Sequence, residues 1–220
     1  MLKFLNRIKN SLWDKGYFSQ EGEDFYISKI IDTKKPGYYL DVGSADPIRA
    51  SNTYWFYLRG WRGLCVDASP GLIQLYQKLR PLDIFFNAFV GKGRREREFY
   101  LFNEPLLNTG SNLRKDYLEK NTDYKLQKKV LIQEFSLREI LELNLPKGKR
   151  IDFMSLDVED GELEVLQSND WSSYRPRLIV MEVLNPDREL IGESTSTQYL
   201  KKMGYRVAAI LPRSVFFIDS

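Results

Sequence analysis

Residues 37–47, Gly37-Tyr38-Tyr39-Leu40-Asp41-Val42-Gly43-Ser44-Ala45-Asp46-Pro47, constrain this chain more than any other stretch. A short apolar run ends in an acid, and a glycine follows two residues later. Ser51-Asn52-Thr53 then opens a new apolar segment, Tyr54-Trp55-Phe56-Tyr57-Leu58. The pattern predicts strand, tight loop, helix, with Ser51 or Asn52 as the helix cap. In an open α/β sheet the ligand sits at such a turn, beyond the carboxyl end of the strand. Gly43 lets the backbone approach a ligand and adopt φ angles closed to other residues. Asp41 places a carboxylate where a cationic or amine-bearing ligand is favoured. An ordinary capped strand-to-helix turn has the same pattern, so this stretch alone leaves both readings open.

The rest of the chain repeats the unit. Gly63-Leu64-Cys65-Val66-Asp67 is a second short apolar run ending in an acid, 24 residues after Gly43. In nucleotide-binding α/β folds an acid about 20 residues past the glycine turn bonds the ribose hydroxyls. Pro70 and Gly71 start a helix to about Arg80, Ile84 to Val90 reads as a third strand, and Arg94 to Phe102 as an extra one. Asn103 to Asp123 is the least regular stretch. Its small polar loop, Leu107 to Asn112, is either a lid or acceptor contact or a solvated connection. Val130 to Phe135 is a strand candidate, and Ser136 and Glu139 stand in capping-box register for a helix to Leu143. Arg177 to Val183 is a buried strand carrying Glu182 at its end. Ser194 to Met203 reads as a helix, and Tyr205–Ile210 with Val215–Ile218 as a terminal hairpin. Strands alternating with helices predict a mostly parallel sheet.

A second informative block is Ile151-Asp152-Phe153-Met154-Ser155-Leu156-Asp157-Val158-Glu159-Asp160-Gly161-Glu162. A strand is expected to end at Asp157 and a helix to begin near Asp160. Asp160 and Glu162 can serve the helix N-terminus. Asp157 and Glu159 stand where a parallel sheet opens to its ligand, and clustered carboxylates there suit a base or a hard-metal site.

The chain contains no histidine. Ser-His-Asp and Cys-His chemistry are therefore excluded, as is His-ligated zinc. A general base must be Asp, Glu, Lys, Tyr or a metal-bound water. With 33 Lys and Arg against 30 Asp and Glu, the net charge of +3 gives no electrostatic case for nucleic acid. A single cysteine, Cys65, cannot form an intramolecular disulfide and fits a reducing compartment. No apolar run reaches the roughly 20 residues that span a bilayer, and no signal-peptide pattern is visible. A cytoplasmic location is expected. Residues 1–15 space Leu2, Leu5, Ile8 and Leu12 about a helical turn apart among Lys3, Arg7, Lys9 and Lys15. This predicts a basic amphipathic helix. It either contacts an anionic membrane surface or packs on the domain or on a second copy in a homodimer. Residues 18–220 are expected to form one domain, preceded by this helix within 1–17.

The motifs resemble those of the FkbM-type methyltransferase family. The residues that carry the resemblance are Ser19 to Asp24, Tyr39 to Ser44, Ser51-Asn52-Thr53, Gly60-Trp61-Arg62-Gly63 and, most specifically, Ser155 to Leu166. The resemblance implies a class I, Rossmann-like fold: a mostly parallel seven-stranded sheet with an antiparallel last strand and helices on both faces. It implies S-adenosylmethionine as cofactor and methyl transfer to a hydroxyl of a sugar, a glycan or a related secondary metabolite. Asp41, Gly43 and Ser44 would then line the methionine end of the donor, with Gln20 and Asn52 beside them. Asp67 would bind the ribose, flanked by Ala68 and Ser69, while Asn87, Ala88 and Phe89 would flank the adenine. Asp157, also in the cofactor set, Glu159 and Glu182 would face the reacting centre as catalytic residues, with Asp157 and Glu182 as ligands if Mg2+ takes part. Glu182 alternatively caps a helix or pairs with an arginine. Two positions depart from the family pattern. Ala45 and Pro47 replace the further small residues of the glycine turn, and Asp67-Ala68 stands where Glu-Pro is usual. An NAD-dependent oxidoreductase is the rival reading, although Gly43 lacks the companion glycines of a G-x-G-x-x-G turn. A non-catalytic nucleotide-binding module is the other.

Overall fold

The computed structural model describes residues 16–183 and 193–220. The helix expected over residues 1–15 lies outside the described residues. Ten strands and seven α-helices occur among those described. Helix α1 (Glu23–Ile30) precedes strand β1 (Tyr38–Val42), α2 (Tyr54–Tyr57) and β2 (Arg62–Asp67). Then come α3 (Leu72–Leu79), β3 (Ile84–Asn87), β4 (Phe89–Val90), β5 (Glu96–Phe102), α4 (Asn112–Asn121), β6 (Leu126–Phe135) and α5 (Leu137–Asn144). The chain ends with β7 (Phe153–Leu156), α6 (Glu162–Gln167), β8 (Leu178–Glu182), α7 (Thr195–Lys202), β9 (Tyr205–Ile210) and β10 (Ser214–Asp219).

Seven strands form the main sheet in the order β3-β2-β1-β7-β8-β10-β9. The first five run parallel, and β10 pairs antiparallel with both β8 and β9. This is the class I methyltransferase topology expected from the sequence. The strand order reverses between β1 and its neighbours β2 and β7, which opens a crevice at their carboxyl ends. Register brings Asp41 beside both Cys65 and Ser155.

Residues of β1 alternate between two apolar layers, as the pleat requires. Tyr38, Leu40 and Val42 join Leu64, Val66, Met154 and Leu156 under Leu137, Ile140, Leu141, Val165 and Leu166. Tyr39 faces the other way, into a layer with Phe153, Cys65, Ile27, Phe56, Trp61 and Tyr76. Both faces of the parallel strands are covered, which is why these runs read as continuously apolar. The capping box of α5 forms as expected, with the Ser136 side chain accepting from the Glu139 amide and Glu139 bonding back.

Two expectations are corrected. The run Ile84–Val90 splits after Asn87: β3 stays in the main sheet, and β4 joins β5 and β6 in a three-stranded sheet of its own. The region Asn103 to Asp123 is not irregular throughout. It holds a 3-10 turn, Pro105–Leu107, and the ten-residue α4, whose cap Ser111 accepts from the Arg114 amide at 3.2 Å. Only Leu118 of α4 is buried, so no apolar stripe announced the helix. Among the described residues no helix is long and apolar enough to cross a membrane.

Phe153 is fully buried among the rings of Tyr39, Phe56 and Trp61. Replacing it with alanine leaves a cavity that three large rings cannot refill. Phe153→Ala is expected to lose about 3–5 kcal/mol in urea unfolding; a loss below about 1 kcal/mol would show that this layer is not a packed core.

Candidate active site

The carboxyl ends of β1, β2 and β7 surround a cleft of about 890 Å³, open to solvent on one side. Its floor is set by one close approach. Gly43 has φ +78°, and a Cβ there would stand 1.6 Å from the carbonyl oxygen of Asp157. Glycine is therefore required both by backbone conformation and by space. The Gly43 and Ser44 amides donate to Val66 O at 2.9 and 3.1 Å, and the Asp157 amide donates to Val42 O at 3.0 Å. These bonds lock the three loops together.

Asp41, Gly43, Ser44, Asn52, Asp67, Ala68, Ser69, Ala88, Asp157 and Gln20 all line the cleft. Asp41 is buried and accepts from Thr53 Oγ1 at 2.5 Å. Burial raises its pKa, and the charge of Arg80 opposes the rise. The two oxygens of Asp67 accept from the amides of Ala45, 2.9 Å, and Ser69, 2.7 Å. Each oxygen keeps a lone pair for a ligand hydroxyl. Asn87 does not line the cleft. Its amide donates to the carbonyls of Asp67, 2.7 Å, and Ser69, 3.1 Å, so it shapes the turn that presents Asp67. Glu182 also stays out of the lining.

Two buried polar atoms in the cleft, Ser44 Oγ and Asn52 Oδ1, have no partner in the protein. Asn52 is held by a bond from its Nδ2 to Ser155 Oγ at 3.0 Å. Unmade bonds on buried polar atoms are costly. A hydroxyl and an amide oxygen of this kind can meet the carboxylate and ammonium of an amino-acid ligand. A carboxylate for vicinal hydroxyls and an apolar wall at Ala88, Phe89, Phe99 and Leu106 complete a site that fits an adenosyl amino acid.

Next to it lies the acidic cluster. Asp157, Glu159 and Glu182 each offer a carboxylate oxygen within 4.8 Å of the others. Two arginines reach in from peripheral elements. Arg114 of α4 bonds Glu159 Oε2 at 2.8 Å, and Arg213, in the β9–β10 turn, pairs with Glu182. Of the sequence readings for Glu182, the arginine pairing is thus realised, while its second oxygen is buried and unpartnered. Among the described residues no arginine bonds Asp157 in this way, and burial and then the charges of Glu182 and Glu159 hold its pKa well above the usual carboxylate value. Burial, followed by Glu182, raises Glu159 to about 7 against the pull of Arg114.

The loop after β7 carries backbone strain. Glu159 and Asp160 have φ +55° and +80°, the left-handed region disfavoured for residues with a Cβ. Thr109 Oγ1 donates to Glu159 O at 3.0 Å, and Ser111 Oγ donates to Asp160 Oδ2 at 2.9 Å. The polar loop 107–112 is therefore no solvated connection. It straps the acidic loop, and Asn108 reaches Ser69 Oγ at 3.1 Å on the other side of the cleft. Arg114, Arg213, Phe99 and Leu106 were not legible as site residues, because none belongs to a motif at a strand end, whereas Asn108 lies in the polar loop expected as a lid or acceptor contact.

The model of the methyltransferase FkbM domain family matches residues 41–207. The chain belongs to this family. It is an S-adenosylmethionine-dependent methyltransferase, which sets aside the oxidoreductase and non-catalytic readings. A search of curated proteins found no match. Among solved structures, the methyltransferase is similar to a TehB-like SAM-dependent methyltransferase from Corynebacterium glutamicum, with a TM-score of 0.51 and 10% identity over all of this chain and 96% of that one. It is also similar to CalS11, a TDP-rhamnose 3'-O-methyltransferase of calicheamicin biosynthesis. There the TM-score is 0.48 and the identity 11%, over 99% of this chain and 85% of that one. At 10% identity the likeness to the TehB-like enzyme is one of fold.

The raised pKa of Glu159 predicts a pH dependence of stability in the methyltransferase. Unfolded, the group titrates near 4.5; folded, near 7. The folded state keeps a proton that the unfolded state has lost, so this contribution is complete below pH 4.5 and disappears as pH rises through 7. Its size is on the order of 3 kcal/mol. Glu159→Gln is expected to flatten the fall in urea stability between pH 4.5 and 7. An unchanged slope would place the titration elsewhere.

Proposed function

We propose that this methyltransferase acts on oxygen, at a hydroxyl of a sugar in a glycan or a related secondary metabolite. The observation that carries the reading is the carboxylate cluster beside the cleft in a chain without histidine. A sugar hydroxyl is a weak nucleophile until its proton leaves, and a carboxylate raised in pKa is a useful acceptor for that proton near neutral pH. S-adenosylmethionine supplies a methyl group already activated on a sulfonium.

The protein's own part is alignment and proton removal. Asp67 holds the ribose hydroxyls, Ser44 and Asn52 the amino-acid end, and Ala88 and Phe89 the adenine. Asp157, which lines the cleft while Glu182 does not, takes the proton. Burial, with Glu182 and Glu159 beside it, keeps its basicity high, and the two arginines hold those neighbours in place. The same three carboxylates form an all-oxygen set of the kind Mg2+ takes. Arg114 and Arg213 already pair with two of the three groups, which favours the base over the metal.

Two outcomes test these assignments. Asp67→Ala removes the acceptor for the ribose hydroxyls, and donor affinity by calorimetry is expected to fall by about 1.5–3 kcal/mol; an unchanged affinity would move the ribose elsewhere. Asp157→Asn keeps the shape of the side chain. It is expected to retain donor affinity and lose roughly 10²–10⁴-fold in turnover, assayed by tritiated methyl transfer to a panel of glycan acceptors with and without EDTA. Near-normal turnover would refute the base, and loss of turnover on chelation, restored by Mg2+, would replace it with the metal.

A further inference from the structure

The loop Ser44–Ser51 forms one wall of the donor site and has no sheet or helix ladder to hold it. Two of its alanines, Ala45 at φ +40° and Ala50 at φ +58°, adopt left-handed backbone, which persists only where surrounding contacts over-determine it. Some of those contacts come from below. The Tyr76 hydroxyl of α3 donates to the carbonyl of Ser44 at 3.1 Å. Arg80, one turn on, donates to the carbonyl of Pro47 at 3.3 Å and to Ser51 Oγ at 3.4 Å. Ser51 Oγ in turn accepts from the Tyr54 amide at the start of α2.

Arg80 is fully buried, as is its salt-bridge partner Asp83 at 2.7 Å. Its other nitrogen donates to Tyr39 OH at 2.9 Å and to Cys65 Sγ at 3.3 Å. Asp83 also accepts from the Gly63 amide at 2.9 Å and from Tyr39 OH at 2.8 Å. A buried guanidinium is a costly device for holding a fold together, since apolar residues of similar volume often serve stability as well or better. Arg80 spends two of its five donors on this irregular segment beside the donor site. Its charge also acts on Asp41 at the end of β1.

We infer that Arg80 and Tyr76 are positioning residues for donor binding: from the layer beneath the sheet they set the shape of the loop Ser44–Ser51, and through it the placement of Ser44 and the Ala45 amide. The inference rests on the donor site described above. Neither residue lines the cleft, so neither acts by touching the donor.

The test is calorimetric titration of the full chain with S-adenosylhomocysteine. Arg80→Lys keeps a charge for Asp83 but loses the fork that spans Pro47 and Ser51. Tyr76→Phe deletes only the hydroxyl. Tyr205→Phe is the control, because Tyr205 OH donates to the buried Pro176 carbonyl at 2.8 Å, far from the loop. It removes the same kind of bond and reports stability loss alone. The expected result is a dissociation constant raised about tenfold or more in Arg80→Lys and about threefold in Tyr76→Phe, with Tyr205→Phe unchanged and all three melting cooperatively. If Arg80→Lys does not fold, Tyr76→Phe decides. Affinity within twofold of the unaltered chain in folded Tyr76→Phe overturns the inference, as does an equal loss in Tyr205→Phe. No binding by the unaltered chain overturns the donor site itself and the inference with it.

Discussion

The structure depends on the contact between the turn after β1 and the turn after β7. Gly43 presses against the carbonyl of Asp157 with no room for a side chain, and the amides on either side bond across to β2 and back to β1. That contact fixes how far apart the first and fourth parallel strands can open at their carboxyl ends. The cleft, its two acids Asp41 and Asp67, and the position of Asp157 all follow from it. The apolar layers on both faces of the sheet supply the energy that holds the contact closed, since a typical backbone bond in the loops contributes only about 0.5–1.5 kcal/mol by itself.

Charge is distributed around this contact in two separate ways. Along the cleft, Asp67 stays in place through backbone amides, and Asp41 through Thr53. In the acidic cluster, three carboxyls crowd together, and arginines from elements outside the parallel core hold two of them. Like charges this close cannot all ionise freely in a buried place. Asp157, which no arginine among the described residues bonds, has a pKa raised well above the usual carboxylate value. That rise comes first from burial and then from the charges of Glu182 and Glu159.

The small sheet β4-β6-β5 and helix α4 do more than decorate the fold. They bring Thr109, Ser111 and Arg114 onto the strained loop at Glu159 and Asp160. They also place Leu106 and Asn108 over the donor cleft. Left-handed backbone at two successive acidic residues is tolerable only under such strapping, so the peripheral sheet stabilises the geometry of the acidic loop.

Local chemistry in the sequence determined the parallel strands, the glycine turn, the acid 24 residues beyond it and the acidic block after β7. Each depends on residues adjacent in the chain: an apolar run, the glycine that ends it, the carboxylate beside it. Tertiary structure alone decided which of those carboxylates share a pocket and which counter-charges meet them. Arg114 reaches Glu159 across 45 residues and Arg213 reaches Glu182 across 31. Neither spacing leaves a local pattern, because pairing between elements is set by packing. For the same reason α4, polar on nearly every side, stayed hidden, and Asn87 turned from the adenine to the backbone of the Asp67 turn. Sequence named the acids, and the fold chose their partners, because an ion pair needs only proximity in space.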